Sequence, residues 1–119
     1  VKQGKIWGTT EALETNPLVE FHRIVVRANH RCSVHRHHYK WNGFFVESGE
    51  LKIVVYRENE VNDVTILRAG EYTAVAPGLY HCFVSTKDTV AFEVYWPQPM
   101  GDEDIERLDQ GGPVESDVP

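Results

Sequence analysis

Leu51-Lys52-Ile53-Val54-Val55-Tyr56 is the run on which the fold class turns. It is rich in β-branched and aliphatic residues and sits between the turn clusters Ser48-Gly49 and Glu58-Asn59-Glu60, so it reads as a strand. Working outward, Val64-Thr65-Ile66-Leu67 and Val90-Ala91-Phe92-Glu93-Val94-Tyr95-Trp96 follow the same reading downstream. Upstream, Phe44-Phe45-Val46 and Glu20-Phe21-His22-Arg23-Ile24-Val25-Val26 do so too. Asn29-His30, Asn62-Asp63, Ala69-Gly70, Pro77-Gly78 and Thr86-Lys87-Asp88 supply the remaining turns. Many short strands with closely spaced turns mean a sandwich or barrel, and no internal repeat divides it. The chain is one all-β unit.

Helix is expected in only two places, both short turns near the termini. Thr9-Thr10-Glu11-Ala12-Leu13-Glu14 predicts one capped turn. Asp102-Glu103-Asp104-Ile105-Glu106-Arg107-Leu108 predicts another, with acids suited to a helix N-terminus. Pro97-Gln98-Pro99 separates it from the last strand, and the polar, Gly/Pro-rich end from Gly111 to Pro119 is expected to fray.

With 119 residues, 41% hydrophobic and 25% charged, the chain suits one globular domain over 1–119. Its core is expected over about 18–97, with an acidic C-terminal segment over 101–119. A net charge of −6 with scattered Lys and Arg argues against nucleic acid and anionic membranes. It leaves room for a phosphorylated small molecule held by a metal ion or a few arginines. No apolar run approaches the ~20 residues of a membrane span. No charged-then-apolar leader opens the sequence, and a cytoplasmic location is expected. Cys32 and Cys82 form no CxxC motif and are expected as two reduced, half-buried thiols.

Four of the six histidines fall in two clusters, His35-Arg36-His37-His38 and, beyond Ala76-Pro77-Gly78, His81. On a strand, positions i and i+2 face the same way, so His35 and His37 project together, about 6–7 Å apart. A third imidazole from a remote strand completes a facial set for a divalent metal, for which Zn, Ni and Fe are the candidates. His38 alternates away from that set, and His22 and His30 are expected on the surface. The same alternation turns Ser33 and Phe83 inward beside the histidines and Cys32, Val34, Arg36 and Cys82 outward. It makes Asn42, Phe44 and Val46 a pocket wall, with Trp41 at the rim. Tyr72, Phe92, Val94 and Trp96 are assigned to core or interface.

The spacing Asn29-(five residues)-His35-x-His37-(four residues)-Asn42-(six residues)-Gly49 resembles the first cupin motif, and Gly70-(five residues)-Ala76-Pro77-Gly78-(two residues)-His81 resembles the second. The resemblance implies a cupin double-stranded β-helix, a jelly-roll barrel, with a metal held by His35, His37 and His81 and by whatever stands at position 42. Lys5-Ile6-Trp7-Gly8 and the run Asp104-Ile105-Glu106-Arg107-Leu108 are further similar to the ends of the cupin domain of type II phosphomannose isomerases. That group positions a sugar phosphate against a zinc-type metal for aldose–ketose isomerisation.

Three positions depart from the pattern. Asn42 replaces a metal-binding glutamate, leaving an amide ligand without charge and removing a candidate base. Glu47 lies out of phase with Asn42 and does not replace it. Gln110-Gly111-Gly112-Pro113 stands where the isomerases carry Tyr-Gly-Arg, which leaves Arg107 as the nearest phosphate-gripping residue. Asn29 replaces the first glycine, and asparagine tolerates positive φ. Three functions stay open: a metal-dependent sugar-phosphate isomerase-like enzyme, a non-catalytic carbohydrate- or metal-binding module, and a three-histidine iron dioxygenase. Outward apolar residues and sheet edges need cover, so a homodimer is expected.

Overall fold

The computed structural model describes residues 2–97, together with 110 and 113. Ten strands form, and no helix occurs among the described residues: β1 Lys2–Lys5, β2 Gly8–Thr15, β3 Glu20–Val26, β4 His30–Arg31, β5 Trp41–Ser48, β6 Glu50–Val55, β7 Asp63–Arg68, β8 Tyr72–Val75, β9 His81–Ser85 and β10 Thr89–Trp96. They make a six-stranded sheet of order β1-β2-β3-β10-β5-β8 and a four-stranded sheet of order β4-β9-β6-β7. Every pairing is antiparallel. This is the all-β jelly roll that the short, turn-bounded runs imply, and no helix is long and apolar enough to cross a membrane among the described residues.

Alternation decides what each sheet buries. Ile24 and Val26 of β3, Phe44 and Val46 of β5 and Ala91 of β10 come from one sheet; Leu51 and Ile53 of β6 and Phe83 of β9 come from the other. They meet as one core, while Phe92 and Phe45, one residue out of phase, face away.

The capped turn expected at Thr9–Glu14 is instead strand β2. Its threonines favour extended backbone, and β3 offers a ladder in which Thr10 opposes Ile24 and Ala12 opposes His22. The pairing slips between Ala12 and Glu14, a bulge that places an extra residue at the helix-like stretch. The second expected turn, Asp102–Leu108, lies outside the described residues, as does the fraying end apart from Pro113.

Gly49 carries the chain from one sheet to the other, since β5 ends at Ser48 and β6 begins at Glu50. Its φ is +91°, and a Cβ there would stand 2.5 Å from the Asp88 carbonyl oxygen and 2.7 Å from Thr89 Cα. Thr89 Oγ1 also accepts from Glu50 N and donates to Glu50 O across the same corner. Gly49→Ala is therefore expected to cost about 2–5 kcal/mol, combining left-handed strain with overpacking against backbone. Gly78, at φ +85° with open space around it, is the control. Gly78→Ala should cost only ~1–2 kcal/mol. Urea midpoints of the two variants at unchanged slope check the difference.

Candidate metal centre

The segment from Cys32 to Lys40 is not the regular strand that an HxH pair suggests. Beyond Cys32, an isolated bridge, His35 opposite His81, ties it to β9, through His35 N to His81 O (3.0 Å) and His81 N to His35 O (2.8 Å). Nearer β4, the ladder runs His30 opposite Ser85 and Arg31 opposite Val84, and Cys32 N bonds Phe83 O. Three steps from Cys32 to His35 thus match two from Phe83 to His81. One extra residue is inserted, and such an insertion resets which side chains face in. This corrects the expectation that Cys32 points outward: Cys32 and His35 both face inward, and Cys32 is buried in the core. Ser33 is largely exposed but lines the cavity below, with its Oγ 3.2 Å from His35 Nδ1.

The three rings nevertheless converge. His35 lies 5.0 Å from His37 and 4.7 Å from His81 between ring centroids, and His37 lies 5.6 Å from His81. Their ligand atoms all lie within 4.8 Å of one another, so small ring movements reach a metal–nitrogen distance of about 2.0–2.1 Å. Gly78 N donates to His37 O at 2.7 Å, so the glycine turn that leads to His81 also holds the HxH segment.

Hydrogen bonding fixes the tautomers. A carbonyl oxygen only accepts, so His35 Nδ1 donates to Ser33 O and His81 Nδ1 to Leu79 O, each at 2.8 Å. Both rings then present Nε2 lone pairs, the arrangement in which an outer partner orients a metal-binding histidine. His37 Nε2 is buried with no hydrogen-bond partner among the described residues. His81 Nε2 stands 3.2 Å from Asn42 Oδ1. Two lone-pair atoms at that distance repel unless positive charge lies beside them. A cation satisfies all of these atoms together, so the residues fit a metal ion.

Electrostatics favour the neutral form of His37 and His81. Burial, and then the neighbouring imidazoles of His35 and His81, push His37 down to about 4. Burial also lowers His81, against the pull of its bond to Leu79. Neutral imidazole is the ligating form, so neither ring must lose a proton near pH 7. In metal-free protein the His37 ring is expected to titrate with a midpoint near 4 rather than the usual ~6.5, as followed by its ring 15N shifts. A midpoint at the usual value would contradict the buried, clustered placement.

Beside the histidines lies a carboxylate whose role the sequence did not disclose. Glu93 is buried on β10, and Phe44 opposes it on β5 while Tyr95 opposes Asn42. Asn42 Nδ2 donates to Glu93 Oε2 at 3.4 Å, and Tyr95 Oη donates to the same oxygen. Burial raises the Glu93 carboxyl, opposed by the bonds from Tyr95 and Asn42. Alternation carried the signal: Glu93 shares the phase of Ala91 and opposes inward Phe44.

A cavity of about 910 Å³ opens beside His35 and His37. Ser33 and Phe83 line it, as do Glu93, Tyr95, Trp7, Lys5, Arg31 and Lys40. His22 and His30, expected on the surface, are half-buried and line it too, because β3 and β4 turn them inward. Phe44 and Val46 sit in the core, and neither they nor buried Asn42 stand on the cavity wall. Trp41 stacks on Trp96 at 6.2 Å, on the outer face of β5, since it alternates with Asn42. Phe92, Val94 and Trp96 share that outer face instead of entering the core, and Tyr72 is exposed on β8. His38 is exposed. Cys82 is fully buried in the core cluster, its thiol 3.3 Å from Tyr56 Oη; both cysteines are free but buried rather than half-buried. Arg107 lies outside the described residues.

The profile of the cupin domain family matches residues 22–97. Among solved structures, KdgF from Halomonas sp. has a TM-score of 0.69 at 14% identity, over 83% of this chain and 89% of that one. An RmlC-like cupin from Shewanella frigidimarina has a TM-score of 0.65 at 22% identity, over 85% of each chain. Oxalate decarboxylase from Bacillus subtilis has a TM-score of 0.72 at 10% identity, over 91% of this chain but 30% of its own. At such identities the likeness is one of fold. No curated protein matches the chain in sequence.

Proposed function

This chain belongs to the cupin domain family, and from that premise we propose that His35, His37, His81 and Asn42 hold one divalent metal ion beside a small polar ligand. The observation that carries the reading is the convergence of three imidazoles within 4.8 Å, with His81 Nε2 facing Asn42 Oδ1 at 3.2 Å, an arrangement that a cation would satisfy. Zinc, nickel and iron suit three imidazoles and an amide. Such an ion supplies Lewis acidity to a carbonyl or hydroxyl oxygen.

The ligand we propose is a sugar phosphate, with aldose–ketose isomerisation of the mannose-6-phosphate type as the activity. Support comes from the cavity wall. Lys5 and Arg31 bring positive charge to a chain of net charge −6, while Lys40 pairs with Glu20 on the same wall at 3.7 Å, and Trp7 and Phe83 pack edge-to-face at 4.9 Å to offer an apolar side to a carbon skeleton. Local positive charge in a concave site attracts an anion even on an acidic protein. A cytoplasmic location and a homodimer remain part of this reading.

Metal-loaded protein incubated with mannose 6-phosphate is expected to yield fructose 6-phosphate, followed by 31P NMR. Titration calorimetry should show the phosphorylated sugar binding at least tenfold more tightly than mannose, with that preference lost in Arg31→Ala. Binding without turnover would leave a non-catalytic carbohydrate-binding module. Neither binding nor turnover would end the sugar-phosphate reading. The absence of a carboxylate among the four ligands favours one second reading, a three-histidine iron dioxygenase. Iron in the purified protein, with oxygen consumption on a thiol, would select it.

A further inference from the structure

We infer that Glu93 is a positioning residue for the metal centre, holding the Asn42 amide in the orientation that turns Oδ1 toward the ion. The inference rests on the metal-centre reading above and concerns how an uncharged ligand is made to serve it.

A carboxylate at position 42 has no wrong face, because both of its oxygens accept. An amide has one accepting and one donating end of nearly equal size, and a half-turn exchanges them. In the wrong orientation Asn42 Nδ2 would donate to His81 Nε2 and consume the lone pair that a metal requires. Something must forbid that turn, and two acceptors do so. Asn42 Nδ2 lies 3.4 Å from Gly43 O and 3.4 Å from Glu93 Oε2. Glu93 Oε2 already accepts the hydrogen bond of the Tyr95 hydroxyl, so it meets Asn42 as an acceptor too. Turning the amide over would set Oδ1 against Gly43 O and Glu93 Oε2, with no hydrogen between acceptors around an Asn42 side chain only 1% exposed. Unsatisfied buried groups of this kind are strongly disfavoured.

The backbone register makes the device stable. Glu93 and Asn42 are diagonal neighbours on the inner face of adjacent strands, since Glu93 opposes Phe44 and Tyr95 opposes Asn42. The pair acts as one unit, in which the amide contacts the ion and the acid stands one strand behind it.

The experiment compares zinc affinity by competition calorimetry in four proteins: wild type, Glu93→Gln, Asn42→Asp and the double variant. Glu93→Gln is expected to lower zinc affinity tenfold or more in the wild-type background, within the 10–100-fold typical of outer-sphere partners. In the Asn42→Asp background it should cause no loss, because a carboxylate needs no orienting partner and is relieved of a like-charged neighbour. A loss of equal size in both backgrounds would mean that Glu93 merely supports the fold, and no loss in the wild-type background would mean that it orients nothing. Either result overturns the inference. Should Glu93→Gln fail to fold, Glu93→Asp decides, since it withdraws the carboxylate from Asn42 by one methylene. Tenfold weaker zinc binding supports the inference, and wild-type affinity overturns it. A wild-type protein that takes up no zinc, nickel or iron overturns the metal-centre reading and this inference with it.

Discussion

Replacing His37 or His81 with alanine is expected to abolish stoichiometric metal binding. Wild-type protein should carry close to one equivalent of zinc, nickel or iron per chain after dialysis, and the variants less than a tenth of that by elemental analysis. Each ring is one of three imidazoles whose ligand atoms lie within 4.8 Å of one another. Removing one leaves two nitrogens and an amide oxygen, too few for a closed four-coordinate site. The affinity loss should exceed the hundredfold that bounds outer-sphere effects. The two variants separate metal loss from fold loss. His81 is 1% exposed on β9, so its alanine variant also opens the core. His37 is half-buried on an irregular segment, so its variant should fold normally. Binding only to the native state stabilises it by about 2.7 kcal/mol at a metal concentration of 100 Kd. That corresponds to a rise in Tm of ~10 °C for a domain of this size. The rise should be seen in wild type, reversed by a chelator, and absent from His37→Ala. A variant that kept the full metal-induced rise would remove His37 from the ligand set.

How far the sequence spoke depends on whether chain alternation survived in each segment. The strands around Leu51 and Val90 were legible because their period of two is clear, and β6 over Glu50–Ile53 and β10 over Thr89–Val94 alternate in burial. The histidines were legible because geometry sets the spacing between them: a turn at Gly78 aims His81, and its N–H ties back to His37. Cys32 was misplaced because the inserted residue between it and His35 leaves no mark in composition. Ser33-Val34 looks like any other pair of strand residues, and only the pairing with β9 shows that two positions face one. Thr9–Glu14 was misread for a different reason. An isolated capped turn is a weak preference, and a waiting edge on β3 overrides it.

Glu93 was missed although its phase could be read. A charged residue in an apolar strand reads as the outward member of the alternation, and Phe92 and Val94 beside it look like core. The sequence contains both phases with equal clarity. What selects between them is the ladder to β5, which puts Glu93 opposite buried Phe44 and sends Phe92 out beside Phe45. An apolar outer phase also explains the stacked Phe21–Phe92 pair at 5.6 Å on the far side of the sheet. Whether that face is covered decides the proposed homodimer.

Phe44→Ala and Phe45→Ala, neighbours in sequence, should therefore behave in opposite ways. Phe44 is 1% exposed, and its ring lies edge-on to His81 at 6.3 Å and to Phe83 at 6.2 Å. Its removal is expected to cost about 3–5 kcal/mol, from lost burial and the cavity left behind. The packing that holds the His81 ring against Asn42 goes with it, so zinc affinity should fall about tenfold even where the protein still folds, as for an outer partner. Phe45 is 41% exposed on the opposite face. In a monomer its alanine variant should shift stability by only ~0.5 kcal/mol. In a homodimer closed through this face, wild-type Tm rises with protein concentration and Phe45→Ala removes that dependence. Urea midpoints and light scattering on the two variants test both statements together. Equal losses from Phe44→Ala and Phe45→Ala at all concentrations would mean that the two faces of β5 are reversed, and with them the inward direction of Asn42 on which the metal centre depends.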